Sequence, residues 1–150
     1  MAQTYSRLIY HIVFSTKHRR PAIAGEWRPR LYEYVGGIIR NHKGMLHKIG
    51  GTDDHVHLLV RWRTDKDVAA LVRTIKSNAS KWVHDTFPGQ REFWWQGGYG
   101  AFSVSHSQMG RVHAYIERQE AHHERLSFKE EFVALLKAHD IEYDERYIWD

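Results

Sequence analysis

Two histidines one residue apart, His55 and His57, stand in the stretch TDDHVHLLV (Thr52 to Val60). On an extended strand alternate residues share a face, so both imidazoles point the same way and can bind one metal ion. A bare His-x-His is more often a half-exposed pair near a turn, so its meaning depends on what else reaches it. Farther along, Tyr115 and Gln119 lie four residues apart in YIERQEAHH (Tyr115 to His123). On a helix that spacing leaves them about 40° apart on one face, able to address one point. A phenol oxygen can attack a phosphodiester, and a carboxamide oxygen can complete a metal site begun by two imidazoles. Alone, such a tyrosine is usually core, and its hydroxyl, with a pKa of about 10, is a poor nucleophile at pH 7.

The surrounding pattern supplies elements to hold these residues. Tyr5 to Ser15 alternates Leu8, Tyr10, Ile12 and Phe14 against Arg7, Ile9, His11 and Val13, which predicts a strand. Helical spacing runs from Glu26 to His42, although Gly36 and Gly37 weaken it. Met45 to Gly50 and His55 to Arg63 form a hairpin through the turn GGTDD. Asp67 to Phe87 repeats apolar residues at i, i+3, i+4, i+7, the clearest helix in the chain. A strand over Tyr99 to Ser105 and a helix from about Ser107 to His123 follow.

The order βαββαβ plus a helix matches the split βαβ plan, an α+β fold of ferredoxin-like or RRM-like type. It predicts a four-stranded antiparallel sheet with helices on one face, the other face free for a ligand, and a C-terminal tyrosine-bearing helix. In His55 to Arg63 the side chains of Val56, Leu58, Val60 and Trp62 face the helices, while His55, His57, Leu59, Arg61 and Arg63 face away. His11 shares that second face if the first strand pairs beside this one. A short helix over Phe128 to Ala138 and an acidic, aromatic tail, together about 127–150, close a single domain spanning 1–150.

Composition narrows the class. The chain of 150 residues has no cysteine, which excludes disulfide scaffolds, cysteine-ligated metal sites and thiol catalysis. No apolar run approaches a membrane span, and MAQTYSR does not read as a signal peptide, so a cytoplasmic protein is expected. A net charge of +4 favours a polyanionic partner without deciding it.

Taken together, TDDHVHLLV, GGYGAFSVS (Gly97 to Ser105) and YIERQEAHH resemble the single-tyrosine HUH transposases, especially REP-associated tyrosine transposases, in order and spacing over nearly the whole chain. The resemblance implies Tyr115 as nucleophile, with His55, His57 and Gln119 as ligands of Mg²⁺ or Mn²⁺. It further implies cleavage and rejoining of single-stranded or hairpin DNA through a 5′-phosphotyrosine, without ATP. A homodimer is implied as well, with the tyrosine helix of each chain completing the other's site. Such an arrangement solves a geometric problem, since that helix must leave the face where the other helices pack.

Weaker candidates surround this set. Lys17, Arg19 and Arg20 in KHRR, Arg61 and Arg63 on the histidine strand, and Arg73, Lys76 and Lys81 on the long helix are DNA-binding candidates for gripping phosphates, although solvated charge explains such residues as often. Trp94 and Trp95 are candidates to stack on unpaired bases, or alternatively to form a lid over the core. His122 and His123 are left outside the metal set, and His11 is placed behind it. Two other readings compete: a non-catalytic RRM-like nucleic-acid-binding module, and a metal-dependent phosphoesterase attacking with water. The absence of a Gly-Phe-Gly-Phe run disfavours the first.

Overall fold

A computed structural model describes residues 2–150. Its sheet runs β2-β3-β1-β4, with β1 (Leu8–Ser15), β2 (Met45–Gly51), β3 (His55–Trp62) and β4 (Gly100–Ser103), every neighbour antiparallel. The two histidines thus stand on a central strand, paired in register with β1 so that His57 faces Val13 and His55 faces Ser15.

Two helices, α1 (Arg28–Asn41) and α2 (Val68–Thr86), cover one face of the sheet. The alternation explains why: Ile12 and Phe14 of β1 and Val56, Leu58, Val60 and Trp62 of β3 all point into that layer, against Leu31, Val35, Leu71 and Ile75. Asp67 starts α2 by accepting the Ala70 N–H at 2.6 Å, which satisfies one of the donors a helix start leaves orphaned.

The opposite face is not free, and here the structure corrects the sequence reading. The chain crosses the sheet after β4, and α3 (Met109–Glu117), α4 (Gln119–His122) and α5 (Phe128–Ala138) lie over the histidine face. That face also carries Ile9, Val13, Leu59 and Phe102, which must be removed from water. Ile116 of α3 packs on Ile9 and Leu59, while Phe128, Phe132 and Leu136 of α5 pack on Val13 and Phe102. A Ser127–Glu130 capping box starts α5. The expected single helix to His123 breaks at Arg118 (φ −94°, ψ 16°), separating α3 from α4.

Close approach of α3 to β2 depends on Gly50. A Cβ there would lie 2.5 Å from the Ile116 carbonyl oxygen, so any side chain must push α3 off the sheet. Gly50→Ala is therefore expected to destabilise the protein by about 1–3 kcal/mol and to lower the thermal midpoint measured by circular dichroism. An unchanged midpoint would show that α3 does not rest on β2 this closely.

Candidate metal and tyrosine site

The histidine face and α3–α5 meet at one carboxylate. Glu131 Oε1 lies 2.9 Å from His57 Nε2, 2.9 Å from His123 Nε2 and 3.5 Å from His55 Nε2. Its other oxygen accepts hydrogen bonds from the Tyr115 hydroxyl and, at 3.0 Å, from Gln119 Nε2. Gln119 Oε1 in turn lies 2.9 Å from His55 Nε2. Tyr115, Gln119, His55 and His57, the four residues picked out from spacing, thus stand together within one chain. The break at Arg118 does not separate Tyr115 from Gln119, because both still reach Glu131.

The outer ring nitrogens are committed elsewhere, which fixes the inner ones. His55 Nδ1 lies 2.7 Å from Asp54 Oδ1, an acceptor that requires the proton on Nδ1. His57 Nδ1 lies 2.8 Å from His11 Nε2. With Nδ1 donating to Asp54, the His55 Nε2 lone pair points inward at the Gln119 oxygen, while His57 Nε2 points at the Glu131 carboxylate. Lone pairs and an anionic carboxylate converging on one point call for a cation, either protons or a metal ion.

Burial sharpens that demand. His55 and His57 are 0% exposed, and Gln119 and Glu131 are 1% exposed. Burial, with lesser repulsion from His57, lowers His11 to about 3. Burial likewise lowers His57 to about 4, against the opposing pull of Glu131. For Glu131 burial alone would raise the carboxyl, but hydrogen bonds from His123 and His57 and the nearby imidazole charge outweigh it and hold the group well below the carboxylate range. Burial and the Glu131 charge push the Tyr115 phenol well above its ordinary value, so it keeps its proton until a base takes it.

His55, His57, His123 and Glu131 each offer a ligand atom, all within 4.8 Å of one another. Imidazole nitrogen and carboxylate oxygen together suit a divalent transition ion, and the close spacing of these four ligand atoms fits one. His122 Nε2 sits beside the group, 3.6 Å from Glu131 Oε2 and without a hydrogen-bond partner among the described residues.

Three of these contributions were absent from the sequence reading. His123 stands outside the expected ligand set, Asp54 in the expected turn, and Glu131 on the expected Phe128 to Ala138 helix without a role. A signal for Glu131 does exist: it occupies the stripe formed by Phe128, Phe132 and Leu135 at helical spacing, where a lone charge needs a buried partner.

The chain matches the family model "Transposase IS200 like" over residues 4–119. It belongs to the IS200-like transposase family. Among relatives, it is 24% identical over 118 residues to the ISDra2 transposase TnpA of Deinococcus radiodurans, covering 75% of this chain and 84% of that one. It is 27% identical over 129 residues to the IS200 transposase of Salmonella typhimurium, covering 79% and 81%. Among solved structures, a REP-associated tyrosine transposase bound to a REP hairpin superposes with a TM-score of 0.62 at 15% identity, over 84% of this chain and 74% of that one. At that identity the likeness concerns the fold, and it agrees on an α+β sheet-and-helix architecture. Membership of a transposase family implies an enzyme that cuts DNA and transfers strands. The family match ends at Gln119, and His123 and Glu131 lie beyond it.

Placement of the remaining candidates in this family member is mixed. Trp95 is buried in the core against Phe14 and Phe93, the lid alternative, while Trp94 is 52% exposed. Lys76 donates to the carbonyls of Gln96 at 2.8 Å and Gly98 at 2.7 Å, and burial lowers it to about 8. Arg63 pairs with Asp65, Lys81 with Asp85, Arg20 with Glu92, and Arg19 donates to the Trp149 carbonyl at 2.9 Å. Lys17, Arg61 and Arg73 are exposed. The geometric premise for a shared site is also revised: α3 crosses to the histidine face of its own chain, where the Tyr115 and His57 ring centroids are 5.7 Å apart.

Depressed histidines set an acid limit on the fold. His11 and His57 bind protons more weakly folded than unfolded, so the stability they contribute is complete above about pH 6.5 and is lost as pH falls toward about 4 and 3. His123, raised by Glu131 against the effect of burial, contributes in the opposite sense, with its loss on the alkaline side. The thermal midpoint is therefore expected to fall between pH 6.5 and 4, and His11→Phe to fall less steeply over that window. A parallel decline in both proteins would contradict the assignment of buried neutral imidazoles.

Proposed function

We propose that this transposase cleaves and rejoins single-stranded DNA at hairpin-associated sites through a 5′-phosphotyrosine on Tyr115, in the cytoplasm and without ATP. The observation that carries the reading is that Tyr115 and the His55–His57 pair converge on the same buried carboxylate, which brings a nucleophile and a ligand set within one carboxylate's span.

In the forward step the Tyr115 oxygen attacks phosphorus, the bond from phosphorus to the 3′ oxygen breaks, and the departing strand takes a proton to become a 3′-hydroxyl. A 3′-hydroxyl from another strand reverses the step and frees the tyrosine, so the bond energy is retained. Glu131 Oε2 accepts the phenol hydrogen bond and so orients the Tyr115 hydroxyl; held this far below its usual range, the carboxylate is a positioning partner rather than the base that removes the proton. Gln119 holds that carboxylate from the other side. Asp54 and His11 turn His55 and His57 so that their inner nitrogens face the reacting centre. His55, His57 and Gln119 would hold a divalent ion, Mg²⁺ or Mn²⁺, together with His123 and Glu131, and such an ion offsets negative charge on phosphate oxygens as a Lewis acid.

Ligand atoms this deeply buried cannot meet a DNA phosphate until the α5 segment yields, so DNA entry requires movement of Glu131 and its helix. A homodimer holding two DNA ends would suit strand exchange, and solution mass tests it.

Incubating the protein with labelled hairpin DNA and Mn²⁺, followed by denaturing electrophoresis, is expected to reveal a covalent adduct. Tyr115→Phe is expected to abolish the adduct and cleavage while hairpin binding persists. His57→Ala should lose at least about a hundredfold in cleavage through loss of a ligand. Cleavage surviving in Tyr115→Phe would instead support attack by water, as in a phosphoesterase.

A further inference from the structure

A second site lies on the other side of the sheet. Between α2 and the segment Trp94 to Tyr99 runs a groove of about 760 Å³, within the ~300–1,000 Å³ range of ligand sites. Five of the sequence candidates that the tyrosine site leaves unused, Arg73, Lys76, Lys81, Trp94 and Trp95, line it, although α2 and this segment are separate elements. Trp94 (52% exposed) and Tyr99 (37% exposed) present aromatic rings to solvent there, a costly arrangement for a soluble surface without a partner. The Lys76 ammonium ties the segment down through the Gln96 and Gly98 carbonyls and stands 5.7 Å from the Tyr99 ring centroid. Arg73 lies exposed on the α2 wall, and Lys81 sits one helical stretch beyond it. Asp85 is the acidic residue on that wall and is paired with Lys81.

Exposed rings beside fixed and free cations match one chemistry in particular. An unpaired nucleotide offers a π-face to stack on an aromatic ring and a phosphate for a guanidinium or ammonium. A duplex would hide its base faces and an apolar peptide would leave the cations unused. The groove also opens near the end of β1, where Ser15 pairs with His55, and Trp95 bridges Thr16 there. Lys17 to Arg20 follow directly, so a strand leaving the groove passes a basic turn on its way round the sheet end.

We propose that this groove binds unpaired nucleotides flanking the hairpin, with bases stacking on Trp94 and Tyr99 and phosphates on Arg73 and Lys81, apart from the cleavage centre. The proposal rests on the reading of the protein as a single-strand transposase. It would make the groove a determinant of which flank is presented to Tyr115.

The test uses the full chain with hairpin DNA whose single-stranded flanks carry 5-iododeoxyuridine at successive positions, irradiated and then mapped by peptide mass spectrometry. Crosslinks at Trp94 or Tyr99 are expected, confined to particular flank positions. Trp94→Ala should weaken binding of the flanked hairpin about tenfold but not binding of the same hairpin without flanks. Arg73→Ala with Lys81→Ala should reduce the slope of log affinity against log salt by about 1.4. Crosslinks elsewhere, with the Tyr115 adduct still forming, would overturn the groove and leave the transposase reading standing. Crosslinks in the groove without any adduct would support nucleotide binding here and remove the reading on which its role rests.

Discussion

The Glu131 carboxylate is buried among three imidazoles, an amide and a phenol, and most of what is distinctive in this molecule follows from the cost of placing it there. An ionised carboxylate removed from water is tolerated only where its oxygens are fully engaged. Here each oxygen has its own partners: one faces His57 of β3 and His123 just after α4, the other faces Tyr115 and Gln119. The same division would let one oxygen serve a cation while the other orients the phenol. Removing one partner of such a buried group typically costs about 3–5 kcal/mol, so the cluster holds α5 on the sheet as much as α5 holds the cluster.

That coupling explains the unusual use of both sheet faces. A βαββαβ plan leaves one face open by construction, and the apolar residues Ile9, Val13 and Leu59 make a fully open face unfavourable here. The chain answers with α3, seated through Gly50, and with α5, seated through Phe128, Phe132 and Leu136. The outcome is a closed site, and under the proposed function the segment that would move for DNA to enter also carries Glu131.

Much of the fold was legible because period and spacing report directly on it. The alternation in β1 and β3 assigned both sheet faces correctly, and α5 was placed at Phe128 to Ala138 as observed. The pairs His55–His57 and Tyr115–Gln119 were legible because local geometry limits each to a common face, and the family resemblance joined the two pairs. Glu131 and His123 were not, since their contribution depends on α5 folding back across the sheet, a long-range event without a local signature. The free face failed for the same reason. Lys76 and Trp95 show a different limit: their residue types suit DNA, but neighbouring carbonyls and the Phe14 ring engage them first.

A titration of the metal-free protein with Mn²⁺, followed by electron paramagnetic resonance of the unbound ion, tests the centrality of Glu131 most directly. The structure predicts one tight site in the native protein and an affinity at least tenfold weaker in Glu131→Gln, whose amide keeps the shape of the carboxylate without its charge. Equal affinity in the two proteins would contradict the account, since the imidazoles would then gather a cation without the carboxylate on which they converge.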